Sequence, residues 1–216
     1  MIKNQKPRQL FNFLKTALVT AIFLFAIGPH TTALGSNPTP YQLSLIQSAQ
    51  GWLNQLKTFR AKFTQTTSTG SNAIGEVLIF RPGKMLIEYQ DPDGLQIFSD
   101  GTWLIYIDKN LKEVNQIPLK VTPARVLLQK KINLMEKTRI SIGEDDANFH
   151  LTLRPEGNSD DGNITLVFSK RPLLLISWVV TDPQGIETTV LLDNISINIP
   201  IDQTRLTYSP PEWAFD

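Results

Sequence analysis

Two stretches decide how this chain reads: Phe59-Arg60-Ala61-Lys62-Phe63-Thr64-Gln65 and Gly75-Glu76-Val77-Leu78-Ile79-Phe80-Arg81-Pro82-Gly83-Lys84. In the first, Phe59, Ala61 and Phe63 alternate with Arg60, Lys62 and Thr64, the period of two that marks a half-buried strand. In the second, alternation puts Val77, Ile79 and Arg81 on one face and Glu76, Leu78 and Phe80 on the other, before Pro82-Gly83 turns the chain. Met85, Ile87 and Tyr89 then oppose Leu86, Glu88 and Gln90 in the next strand. Glu76, Glu88 and Gln90 mark a face turned to water, and Val77, Ile79, Met85 and Ile87 an apolar one.

Working outward, strands follow at Leu95 to Ser99, closed by Asp100-Gly101, and at Trp103 to Asp108, closed by Lys109-Asn110. Such pairs between alternating runs signal tight turns, so this part reads as an antiparallel meander. Strands resume at Arg139 to Gly143, Phe149 to Arg154, Ile164 to Ser169, Leu173 to Thr181, Ile186 to Ile199 and Arg205 to Tyr208. Two segments have helical spacing instead. From Tyr41 to Leu56, Leu45, Ile46, Ala49, Trp52, Leu53 and Leu56 recur every three or four residues, with Gly51 inside the helix. Between the strands, Pro123 opens a short helical insertion carrying Val126, Leu127 and Leu128, then Ile132, Leu134 and Met135. The expected fold is mainly β with an α lid, about ten to eleven antiparallel strands. A sheet that wide curls, and its apolar concave face needs a cover.

The N-terminus departs from the average composition. Lys3, Lys6, Arg8 and Lys15 precede an apolar run from Ala17 to Ile27 broken only by Thr20. That run is too short to cross a bilayer, which takes about 20 apolar residues. It reads as a cleaved signal peptide over residues 1–35, with small Ala33 and Gly35 before the cut; a cut after Ala33 is the alternative. The mature chain is then residues 36–216, a single domain with 17 basic and 20 acidic side chains. A net charge of −3 offers no basic surplus for nucleic acid. With no cysteine, thiol catalysis, thiolate metal sites and redox work are excluded, and an exported fold must rely on its apolar core.

His150 is the one histidine of residues 36–216, on a strand and without a Gly-x-Ser-x-Gly elbow elsewhere, so it reads as a solvent-facing strand residue. Asp145-Asp146 and Asn158 to Gly162 read as solvated hairpin tips rather than calcium loops. Phosphate-cradling glycine loops are absent. No catalytic residue, metal or cofactor is expected, and elimination leaves a binding protein.

In order and spacing, Phe59 to Gln65, Gly75 to Lys84, Tyr89, Pro92, Ser99-Asp100-Gly101 with Leu104-Ile105-Tyr106, Pro123 to Leu128 and Asp182-Pro183-Gln184-Gly185 resemble the periplasmic outer-membrane lipoprotein carrier family, LolA-like. The likeness runs through nearly all of residues 36–216 to Pro210-Pro211; Trp213 stands where a glycine is expected. The resemblance implies an unclosed β half-barrel whose concave face, lined by Phe59, Phe63, Val77, Ile79, Met85, Ile87 and Tyr89, shelters acyl chains. Leu45, Ala49, Trp52, Leu53, Val126, Leu127 and Leu128 are then the apolar side of the lid. Arg81 ends the apolar row, where a guanidinium needs partners for its donors; the resemblance makes it the latch, donating to carbonyls of the helix around Pro123 to Leu128. Its alternative is a strand-end arginine that reaches solvent.

The implied protein is a monomeric periplasmic shuttle whose partners are acylated lipoproteins, an inner-membrane lipoprotein-releasing transporter and an outer-membrane acceptor. A carrier of free lipid or glycolipid, and an envelope lipid sensor built on the same fold, are the competing readings.

Overall fold

The computed structural model describes residues 38–156 and 162–215. The expected signal peptide and its cleavage point lie outside them, as does most of the tip at Asn158 to Gly162. Thr39 starts the first helix: its hydroxyl accepts from the Gln42 amide while the Gln42 side chain accepts from the Thr39 amide, a capping box ahead of Pro40. The helix α1 (Pro40–Gln55) buries Ile46, Ala49 and Leu53, the stripe its spacing dictates.

Eleven strands follow: β1 (Thr58–Thr67), β2 (Asn72–Phe80), β3 (Lys84–Asp91), β4 (Leu95–Asp100), β5 (Trp103–Asp108), β6 (Glu113–Pro118), β7 (Thr138–Glu144), β8 (Asn148–Pro155), β9 (Asn163–Lys170), β10 (Leu173–Thr181) and β11 (Glu187–Ile197). They form one antiparallel sheet in the order β6-β5-β4-β3-β2-β1-β11-β10-β9-β8-β7. Two meanders, β1 to β6 and β7 to β11, are thus joined at the centre where β1 lies beside β11. Register shifts at Arg60/Lys62, Ile74/Gly75 and Leu175/Ser177 are irregularities of the kind that let a wide sheet bend. The sheet stays open, with β6 and β7 as its free edges. Since β6 and β7 are consecutive in sequence, the chain between them must travel from one edge to the other. That connection carries a 3-10 turn at Leu119–Val121 and the helix α2 (Arg125–Leu128).

Three expectations need correction. Strand β6 has no counterpart in the sequence reading, because Glu113-Val114-Asn115-Gln116-Ile117-Pro118 holds only two aliphatic side chains, three apart; an edge strand that is half exposed needs no alternation. Arg205 to Tyr208 is not a strand. Residues Gln203–Leu206 form a 3-10 turn capped by Asp202, whose carboxylate accepts from the Thr204 amide at 3.0 Å. The backbone is committed to that local turn, and only Leu206 is driven inward. Lastly, the face bearing Glu76 and Glu88 is not simply wet. Leu78, Leu86, Phe98, Ile105 and Ile107 form a second core there, closed by Leu206 and flanked by Ile201, Tyr208 and Trp213 of the C-terminal tail.

Candidate functional site

The concave face and its cover make up the main core. Phe59, Phe63, Val77, Ile79 and Met85 are buried on the sheet side, with Ile87 and Tyr89 partly buried beside them. From the cover, Ala49, Leu53, Leu127 and Leu128 are buried and Leu45, Trp52 and Val126 partly so, all packed into the same cluster. The residues read as wall and lid therefore meet on one face. The far meander contributes Phe168, stacked on Phe149 at 5.4 Å between ring centroids and meeting Trp52 of α1 edge-on at 5.7 Å.

Near β1, Phe63 lies across Gly75: a Cβ there would fall 2.7 Å from the Phe63 ring and 2.2 Å from the Glu88 carbonyl oxygen, so only glycine admits the ring. The ring meets Tyr89 edge-on at 5.3 Å. Burial pushes the Tyr89 hydroxyl up to about 12, and it donates to Gln65 Oε1 at 3.0 Å, which leaves the face uncharged here.

Arg81 is the exception in this apolar row. It is 9% exposed, and its guanidinium donates only to backbone carbonyls. Nη1 reaches the Leu53 carbonyl and, at 3.2 Å, that of Leu56; Nε reaches the Gln129 carbonyl at 3.2 Å, and Nη2 donates to the same oxygen. These carbonyls lie at the C-terminal ends of α1 and α2, where unsatisfied acceptors and the negative end of the helix dipole favour a cation. Burial lowers the guanidinium pKa, and among the described residues no carboxylate pairs with it. One side chain in the turn between β2 and β3 thus bonds to the C-terminal ends of both covering helices. The expected acceptors around Pro123 to Leu128 prove to be Gln129, just beyond α2, together with Leu53 in the last turn of α1 and Leu56 just beyond it, so the alternative of a solvent-reaching arginine does not hold.

The turn that presents Arg81 is itself braced. The Gly83 amide donates to the Leu128 carbonyl at 2.9 Å, and the Gly83 carbonyl accepts from the buried Ser99 hydroxyl at 2.7 Å. A Cβ on Gly83 would sit 2.7 Å from the Gly101 Cα, and both glycines have positive φ, at 83° and 97°. Asp100 Oδ1 accepts from the Thr102 and Trp103 amides, fixing the neighbouring turn. Ser99-Asp100-Gly101 and Arg81-Pro82-Gly83 are therefore one device across adjacent hairpins.

Sequence reasoning missed the ties within the lid. Asn54 exchanges two 2.8 Å hydrogen bonds with the Ile132 backbone, and Gln50 Oε1 accepts from the Leu134 amide at 2.9 Å. Two amides four residues apart on α1 were the available signal. Among the described residues no group of His, Asp and Glu could hold a metal ion, and His150 is exposed on β8. An apolar face under a cover fastened by hydrogen bonds can accept an apolar chain when the fastening opens.

Known proteins resemble this architecture. A protein of the DUF1329 family from Desulfovibrio piger superposes with a TM-score of 0.50 at 9% identity, covering 80% of this chain and 98% of that one, a likeness of fold. An outer-membrane lipoprotein carrier protein of Coxiella burnetii is 28% identical over 200 residues, 88% of this chain and 90% of its own. Another from Chromohalobacter salexigens is 28% identical over 173 residues, 75% and 81% of the two chains. Residues 54–209, spanning β1 through the C-terminal 3-10 turn at Gln203–Leu206, match the model of the outer membrane lipoprotein carrier protein LolA, and the chain belongs to that family.

Proposed function

We propose that this protein, exported to the periplasm with loss of residues 1–35, shelters the acyl chains of lipoproteins on its concave face and carries them from the inner to the outer membrane without catalysing a reaction. The observation that carries this reading is Arg81: among the described residues the one buried cation, set on an apolar face and satisfied only by carbonyls at the C-terminal ends of the two lid helices. Each acyl methylene withdrawn from water is worth about 0.8 kcal/mol, so a lipid-modified polypeptide crosses an aqueous space only when its chains are covered. Loading displaces the lid and breaks the Arg81 bonds; unloading restores them, which makes firm binding reversible. On this reading Phe59, Phe63, Val77, Ile79, Met85, Ile87 and Tyr89 exchange contacts with the lid for contacts with acyl chains. A transporter in the inner membrane loads the carrier and an acceptor at the outer membrane relieves it.

The test is Arg81→Leu. Charge-assisted hydrogen bonds are worth about 1.5–3 kcal/mol each, so their loss shifts the balance between open and closed lid by tenfold or more while leucine still suits the apolar row. The variant should fold, load and then keep its cargo, so that triacylated polypeptides accumulate on it in mass spectra of the purified protein. A variant that unloads like the parent removes the latch. Phospholipid or glycolipid alone on the parent protein replaces lipoprotein by free lipid as the cargo.

A further inference from the structure

The connection from edge strand β6 to edge strand β7 has a surface unlike the rest of the molecule. Residues 119–137 hold Lys120, Arg125, Lys130, Lys131 and Lys137 against one acidic residue, Glu136, while the rest of residues 36–216 has 12 basic side chains against 19 acidic. The cationic segment therefore lies on a protein that is otherwise strongly anionic. Elsewhere Arg60, Lys170 and Arg205 are matched to carboxylates, but among the described residues none of the five cations of this segment makes an ion pair. All but Arg125, which is half-buried, are exposed. Between them stand two exposed apolar side chains, Val121 at 69% and Met135 at 49%.

We propose that this outer surface of the lid docks on an anionic bilayer surface. Four lysines with no Phe, Tyr or Trp in the whole segment are a poor protein-binding patch, since protein interfaces are depleted of lysine and anchored by aromatic residues and arginine. Lysines on long flexible stems around isolated aliphatic side chains suit a headgroup layer, where the ammonium groups face lipid phosphates and the aliphatic tips enter slightly. Binding of this kind is weak, additive and quenched by salt, as befits a protein that must also leave the surface. The acidic remainder keeps the other faces turned away from the same membrane. The inference goes beyond the carrier reading, because it concerns the empty protein and needs no lipoprotein.

The experiment uses protein purified from the envelope of an expressing cell and sedimented with vesicles, so that whatever the N-terminus contributes is common to parent and variant. The parent should bind vesicles of equal parts phosphatidylglycerol and phosphatidylcholine, ignore pure phosphatidylcholine, and be released by about 0.5 M salt. The variant Lys120→Gln, Lys130→Gln, Lys131→Gln, Lys137→Gln should bind the anionic vesicles at least about tenfold more weakly with an unchanged thermal midpoint, since those side chains are exposed. Val121→Ser with Met135→Ser should weaken binding less. Equal binding of parent and variant, equal binding to both vesicle types, or a folded parent that binds neither would each overturn the proposal, the last leaving an acidic protein as the partner to seek. None of these results touches the Arg81 test, which reads cargo retention.

Discussion

The lid and the C-terminal tail are both covers laid over apolar strips of the same sheet, one on each face, and they are fastened in different ways. Under the lid the strip is wide, running from Val77 and Ile79 on β2 across to Phe149, Leu166 and Phe168 on the far meander. It is pinned by a cation that touches only neutral carbonyls. Under the tail the strip is narrow, and the fastening is ionic: Arg205 Nη2 lies 2.9 Å from Glu76 Oε2 and 3.0 Å from Glu88 Oε2, while Arg60 takes the other oxygen of Glu76 at 2.6 Å. A guanidinium held by carbonyls stays charged and paired at every accessible pH, whereas a carboxylate pair can be titrated or screened. The wide face is thus held by a fastening blind to pH and salt, and the narrow one by a fastening sensitive to both.

Truncation separates the two faces most strongly. Phe168 is fully buried between Phe149 and Trp52, and Phe168→Ala should cost about 3–5 kcal/mol in denaturant unfolding. Leu206 plugs the narrow strip from a short turn that can shift to fill the gap, so Leu206→Ala should cost about 2 kcal/mol, at the low end for such a change. Equal losses would mean that the tail is as integral to the core as the aromatic stack.

Acid should then distinguish the fastenings. Burial pushes the Glu76 carboxyl up, but hydrogen bonds and charge from Arg60 and Arg205 outweigh it and hold the group below its ordinary value. A depressed carboxyl stabilises the fold above its unfolded pKa, and this is lost as pH falls from the ordinary carboxylate range through the lower folded value. Arg205→Gln should therefore cost about 1 kcal/mol at neutral pH, less at high salt, and flatten the acid limb of the stability profile. An unchanged acid limb would show that Glu76 draws its support from Arg60 alone. Exchange protection of the amides around Leu53 should follow global stability at every pH, since the Arg81 bonds do not titrate there.

How far these covers could be read from the sequence follows from the range of the interactions. Alternation along Phe59 to Gln65 and Gly75 to Arg81 is local, and so were the strands and the apolar face. Arg81 stood out because a cation closes a row of aliphatic side chains, but its acceptors on Leu53, Leu56 and Gln129 depend on where two helices land, which no local pattern encodes. The tail failed for the opposite reason. Arg205-Leu206-Thr207-Tyr208 alternates like a strand by coincidence, yet the segment lies over the face of the sheet, where Leu206 packs on Leu78 and Leu86, and pairs with neither edge, β6 or β7. Leu78, Phe80 and Leu86 on a face read as wet were the warning that something apolar must cover them.

The smallest expected effect bears on how the lid would open on the proposed reading. Gly51 sits inside α1, where a Cβ would meet nothing within 4 Å. Replacing glycine by alanine in a helix interior gains roughly 0.5–1 kcal/mol, chiefly from reduced backbone freedom of the unfolded chain. Gly51→Ala should therefore raise the thermal midpoint by about 2–4 °C per kcal/mol gained, leaving every Arg81 partner in place. If α1 swings as a rigid rod once Arg81 lets go, the variant will be more stable and will load and unload at parental rates. If α1 must bend at Gly51 to uncover the face, the same gain will appear together with slower loading. A lowered midpoint would mean that the glycine relieves strain in the closed lid, and the helix would then have to be counted among the parts that store energy for opening.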